Sequence, residues 1–223
     1  MIIFFLILAQ YISIVWSLHF NTSYRLRWFV VVNMILVMFL WSKLIDVFWI
    51  TSSIGSLFYS TIFIIQTLLF MKEGRKFFLR GLNMSLFNFI AVVFVLLFTV
   101  YVPTIPGNEN FAEAVNLISN EAIGIASGAF LSFYFAQFVL LYLLESCQDL
   151  KINNYFWYIV SVSIASMLES FIYSFIVFWH NWGWWSLMWW GWILKMFFTF
   201  SYIPIIFLAK KTYFIRPKEN DLK

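Results

Sequence analysis

The chain has 223 residues, 63% of them hydrophobic and only 11% charged, whereas soluble domains carry about a quarter charged residues. That balance excludes an ordinary soluble domain, and the net charge of +4 does not mark a nucleic-acid surface, because the basic residues fall in short clusters beside apolar runs. The single cysteine, Cys147, cannot close an internal disulfide and reads as packing. No Cys or His cluster has metal-ligand spacing, so neither a metal nor a cofactor is expected.

Strand-type alternation of the outer-membrane barrel kind is missing, while apolar runs of about twenty residues recur with polar breaks between them. The expectation is an all-α polytopic membrane protein with six or seven transmembrane helices in one bundle, a single domain over residues 1–223. The first span, 2–18, lacks the basic start and small-residue cleavage site of a signal peptide. Spans 28–42 and 44–71 follow, one short and one long. Lys43 and Asp46 lie between them about one helical turn apart and either pair there or mark a short or broken helix within 28–71. A loop carrying Lys72, Arg75, Lys76 and Arg80 leads to span 84–102. The 103–119 loop holds Glu109 and Glu113 with no Lys or Arg.

Span 120–144 opens at SNEAIGIASG, where Ser119 or Asn120 would cap the helix and Glu121 would favour its positive end. The small residues Gly124, Ala126, Ser127 and Gly128 would let another helix approach closely. Gln137 stands in its apolar middle. Span 155–179 carries Glu169 near its centre. At about 100° per residue, Ser163, Ser166, Glu169, Ser170, Tyr173 and Ser174 share one face. Span 184–209 carries Lys195 on a face with Met188, Gly191, Trp192, Thr199 and Tyr202, and Gly191 and Pro204 suggest a kink there that opens a pocket. Trp179, Trp182, Trp184, Trp185, Trp189, Trp190 and Trp192 surround an outer turn as an interfacial belt, and one or two of them, with Tyr134 or Tyr173, would stack on a flat ligand. Arg25 and Arg27, the 72–80 loop, Lys151 and the basic tail 210–223 place seven spans with the N-terminus outside and the C-terminus cytoplasmic.

A charged group at the centre of a membrane helix costs about 2.5–3.5 kcal/mol on insertion scales, so Glu169 and Lys195 must face protein or a water-filled cavity. Two readings stand: a buried ion pair that only sets helix register, or a polar site near the midplane built from Gln137, Glu169 and Lys195, the usual place for a transporter's substrate.

With those residues located, the chain resembles a divergent member of the VUT family of queuosine precursor transporters. The resemblance rests on Gln137, Trp157 opening the next span, Glu169 ahead of FIVFW ending at Trp179, and Lys195 in KMFFTFSYIP ending at Pro204. The segment GSLFYSTIFIIQTLLFMKEGRK, with Gly55, Gly74, Arg75 and Lys76, is similar to the family's small residue, hydrophobic span and Gly-plus-basic loop. Together these cover about residues 43–209. The chain departs from the family at Thr67 and Met71, where an acidic pair is usual, at Leu140 in place of an acid, and at Gly124 in place of a basic residue. The resemblance implies uptake of a 7-deazaguanine (preQ0, preQ1 or queuine) for tRNA modification salvage. The expected substrate-binding set is Gln137, Glu169, Lys195, Tyr134, Tyr173, Ser166 and Trp192.

The partners expected are a purine-like small molecule and the lipid bilayer, with no nucleic acid and with a homodimer as one assembly. The membrane is the plasma membrane, or alternatively the mitochondrial inner membrane. A different class also fits the many phenylalanines and short loops: a non-transporting subunit of a larger, organellar complex. An embedded enzyme fits poorly, because no nucleophile, base or metal-ligand set is present and His19 and His180 lie at span edges. No GxxxxGK[ST] loop supplies nucleotide binding.

Overall fold

The computed structural model describes residues 8–15, 23–40, 44–47, 50–53, 55–101, 109–150, 155–179 and 184–204. Among these are seven helices: α1 (8–15), α2 (Ser23–Leu40), α3 (Gly55–Glu73), α4 (Arg75–Tyr101), α5 (Glu109–Asp149), α6 (Tyr155–Phe178) and α7 (Trp184–Ser201). One antiparallel hairpin, β1 (Leu44–Val47) with β2 (Ile50–Ser53), is the only departure from helix among the described elements.

The expected 44–71 span is thereby corrected: its first part is a hairpin, with Asp46 opposite Thr51, and the helix begins at Gly55. The physical reason is local. Ile45, Val47, Ile50 and Thr51 are β-branched, and Asp46, Ser52 and Ser53 belong to residue types of low helix propensity. Lys43, and with it the Lys43–Asp46 pair, lies outside the described residues. A second correction concerns α5, which starts at Glu109, so Ser119 and Asn120 are interior rather than caps. The stretch ENFAEAVNLISNEA has no Gly or Pro to stop it, and the breakers Pro106 and Gly107 stand ahead of it in sequence.

Helices α3 and α4 meet at one residue. Gly74 has φ of 76°, its N–H donates to the Phe70 carbonyl at 2.8 Å, and its own carbonyl accepts from Phe77 and Phe78 at the start of α4. A left-handed residue that ends one helix and opens the next is a position suited to glycine.

Helix α3 is the hub. It packs against α2, α4, α5, α6 and α7, and every residue from Phe58 to Phe70 is buried. A helix with no charged residue from Gly55 to Met71 and buried on every side belongs in the middle of a bundle. The outer helices are one-sided in the reverse sense to a soluble protein. Phe87, Ile90, Phe94 and Phe98 on α4, and Leu131, Phe135, Phe138 and Tyr142 on α5, are exposed at helical spacing, while Gln137, Glu169 and Lys195 are buried. Three stretches among the described residues are long and apolar enough to cross a membrane: Arg75–Val95, Ser127–Asp149 and Phe156–Phe178.

Close approach of α5 and α6 follows from a small residue. A Cβ placed on Gly128 would stand 2.7 Å from Val177 Cγ2 and 3.2 Å from Ile176 Cγ2, the approach expected of the Gly124–Gly128 run. The side chains of Gly124 and Ala126 lie outside the described set.

Candidate functional site

Polar side chains in a lipid-facing bundle commonly satisfy themselves within their own helix. Ser13, Thr67, Ser85, Ser146 and Ser161 donate to the carbonyl four residues earlier, as do the amides of Asn33 and Asn88. The groups that do not follow this habit define the site.

Lys195 on α7 reaches across to α6, where its ammonium bonds Glu169 Oε2 and lies 2.9 Å from Ser170 Oγ. The ammonium also stands 5.3 Å from the centre of the Tyr59 ring on α3, a cation–π contact that is stronger where water is excluded. Ser60 on α3 donates to the Lys195 carbonyl at 3.1 Å, and Tyr59 hydroxyl donates to the Ala129 carbonyl on α5 at 3.1 Å. Four helices thus hold one ion pair whose side chains are 0% and 2% exposed. Tyr59 and Tyr173 both lie within electrostatic reach of Glu169.

The pair is not saturated. Glu169 Oε1, Ser166 Oγ, Thr199 Oγ1 and both amide atoms of Gln137 are buried without a hydrogen-bond partner among the described residues, as are both amide atoms of Gln66. An ionised carboxylate can accept about four hydrogen bonds. A buried polar group without a partner costs on the order of 1–3 kcal/mol, and these atoms retain unused capacity to donate and accept hydrogen bonds.

The expected residues divide into groups. Glu169, Lys195 and Ser166 share the α6–α7 face, Gln137 is fully buried on α5, and Tyr173 is buried within reach of Glu169. Trp192 is half-buried, its indole N–H donating to the Ser163 carbonyl at 3.3 Å and its ring standing edge-on to Trp189. Tyr134 belongs to an aromatic column instead, stacked on Phe130 and edge-on to Phe138, with Phe89 of α4 stacked on Phe130. Trp157 is exposed at the start of α6; of the expected belt, Trp179, Trp185, Trp189 and Trp190 are exposed, Trp184 and Trp192 are half-buried, and Trp182 lies outside the described residues. Helix α7 runs unbroken through Gly191 and ends at a turn in which Tyr202 N–H bonds the Thr199 carbonyl.

Sequence reasoning missed α3. Tyr59, Ser60 and Gln66 all belong to the polar interior, and no periodic polar stripe announced them. A second node joins Gln10 of α1, Thr61 of α3 and Tyr202 in the turn after α7: Thr61 bonds Gln10 Oε1 and lies 3.0 Å from the Tyr202 hydroxyl. Cys147 is buried, with its thiol 3.8 Å from Ser161 Oγ, which agrees with a packing role. No group of three or more His, Cys, Asp or Glu able to hold a metal occurs among the described residues.

A family model described as "Putative vitamin uptake transporter" matches residues 53–209. No curated protein and no solved structure matches the chain significantly.

Proposed function

The chain belongs to the vitamin uptake transporter family, and on that premise we propose that it carries a queuosine precursor, a 7-deazaguanine such as preQ0 or preQ1, or queuine, through a polar site near the membrane midplane. The observation that carries this reading is the Glu169 carboxylate. One oxygen is held by Lys195 and the other is fully buried without a hydrogen-bond partner among the described residues.

A guanine-type edge offers adjacent N–H donors, which a carboxylate accepts in bidentate fashion. Ser166 lies one turn from Glu169, Tyr173 or Trp192 offers an aromatic face, and the buried Gln137 amide on α5 offers a further hydrogen-bonding group along the path. Lys195 is the counter-charge that keeps a carboxylate tolerable in this interior. Nothing in this chemistry calls for covalent catalysis, and the protein is read as a carrier rather than an enzyme. The six to seven spans, the plasma-membrane location, the cytoplasmic C-terminus and a homodimer complete the proposal.

The test is a thermal-shift titration of the detergent-purified protein with preQ0, preQ1, queuine and adenine. A saturable rise in melting temperature with the three deazaguanines and none with adenine is expected. No shift in a well-folded sample would turn the reading toward a structural subunit of a larger membrane complex, to be identified by what co-purifies.

A further inference from the structure

Gln66 is 0% exposed, and neither of its amide atoms has a hydrogen-bond partner among the described residues. Its position is tightly defined. A Cβ added to Gly81 of α4 would stand 3.1 Å from both Nε2 and Oε1 of this amide, so the absence of a side chain at Gly81 gives the amide its room. Gln137 on α5 is in the same condition, fully buried and with both amide atoms unpartnered.

Phe63 of α3 and Phe133 of α5 meet edge-on with ring centres 6.3 Å apart, and Gln66 and Gln137 follow them by three and four residues, which puts the two amides at about one depth. Arg75 and Glu145 pair at 3.1 Å where α4 begins and α5 nears its end, and this pair is solvent-exposed. Gln66 precedes the end of α3, and Gln137 precedes Glu145, by about two helical turns, roughly 10 Å and roughly 12 Å. The ion pair Glu169–Lys195 lies deeper, at the level of Tyr59, which is about two turns before Gln66 on α3. Around both amides the core is apolar: Phe63, Phe78, Phe133 and Leu140 are buried. In a bilayer there is no bulk water to satisfy two such amides, so leaving them orphaned is unfavourable. Water or a ligand that reached them would satisfy both.

We propose that Gln66 and Gln137 form an inner polar station between the midplane ion pair and the Arg75–Glu145 face, open to water from that face. The station takes a ring bearing adjacent N–H and C=O groups as it leaves Glu169. Each amide has a donor and an acceptor, the complement of a lactam edge. The ligand assignment rests on the carrier reading above; the water access does not.

The test is thiol labelling in a Cys147→Ser background. Single variants Gln66→Cys, Gln137→Cys, Ile64→Cys and Lys76→Cys are placed in sealed vesicles of both orientations and treated with a membrane-impermeant methanethiosulfonate. Lys76 is exposed and reports which side carries the Arg75–Glu145 face. Ile64 is 0% exposed and lies roughly opposite Gln66 around α3, so it sets the dry rate. The expected result is labelling of the Gln66 and Gln137 variants at least tenfold faster than the Ile64 variant, from the Lys76 side only, and slowed by preQ1 but not by adenine. Folded Gln66 and Gln137 variants that react no faster than the Ile64 variant would overturn the station; if one of the two fails to fold, the other decides. Fast labelling without protection by preQ0, preQ1 or queuine upholds the station and removes the deazaguanine reading.

Discussion

The behaviour of single side chains separates the two readings of the buried charges. If Glu169 and Lys195 only set helix register, breaking the pair leaves an uncompensated charge, a loss of about 3–5 kcal/mol, and removing both charges recovers stability with no other consequence. If Glu169 is also a ligand acceptor, Glu169→Gln carries the same cost in stability together with a loss of binding that the charge-free double variant does not recover. Binding of preQ1 should then fall at least about tenfold, or about 1.4 kcal/mol. The double variant Glu169→Gln, Lys195→Met should match or exceed the wild-type melting temperature and still not bind. Isothermal titration beside a melting curve checks both; normal binding by the folded single variant would end the assignment of the site. Glu169 and Lys195 were legible in the sequence because a charge inside a long apolar run is expensive enough to need a reason. Gln66 was not. It sits in FIIQTLLF, a run without a polar stripe, and only the placement of α3 at the centre makes its amide part of the interior.

At the level of elements, the outcome turns on which helix faces are forced together. The α5–α6 seam depends on Gly128, whose missing side chain admits Val177. Val177 is β-branched and stiff at χ1, so it has little freedom to yield. Gly128→Ala should cost about 1–3 kcal/mol as overpacking, read as a lowered melting temperature in detergent. An unchanged or raised value would mean that the seam is looser than the structure has it. The small-residue run was readable in advance, because close helix approach in lipid favours such residues. The break before α3 was half readable: the uneven lengths of spans 28–42 and 44–71 pointed to an interruption, but whether it was a bent helix or a hairpin depended on pairing between β1 and β2 and on the packing of β2 against α7. The start of α5 was misjudged because Glu109 and Glu113 look like loop residues when charge alone is weighed, while the surrounding Ala and Leu favour helix.

For the whole molecule, exposed helix faces among the described residues carry large apolar side chains while the Glu169–Lys195 pair is buried, an arrangement suited to a bilayer in place of water. The proposed topology, seven spans with the N-terminus outside, makes a direct prediction. A reporter fused before residue 1 should be reached only from the external side, and Lys76→Cys and a tag after residue 223 only from the cytoplasmic side. An N-terminal reporter found on the same side as the C-terminal tag would require an even number of spans. Composition and the spacing of apolar runs determined the helical membrane class, and residues 53–209 carry enough local pattern to place the chain in its family. Sequence also determined which residues demand explanation, because the cost of a charge in lipid is a property of that residue and its immediate neighbours. Which helix is surrounded by the others was decided only by the tertiary structure. Burial of α3 on every side is a collective result of packing five helices around it, and an evenly apolar sequence gives no direction from which to foresee it. The orphaned amides of Gln66 and Gln137 follow from that placement: whether a polar side chain finds a partner depends on what the fold brings across from it.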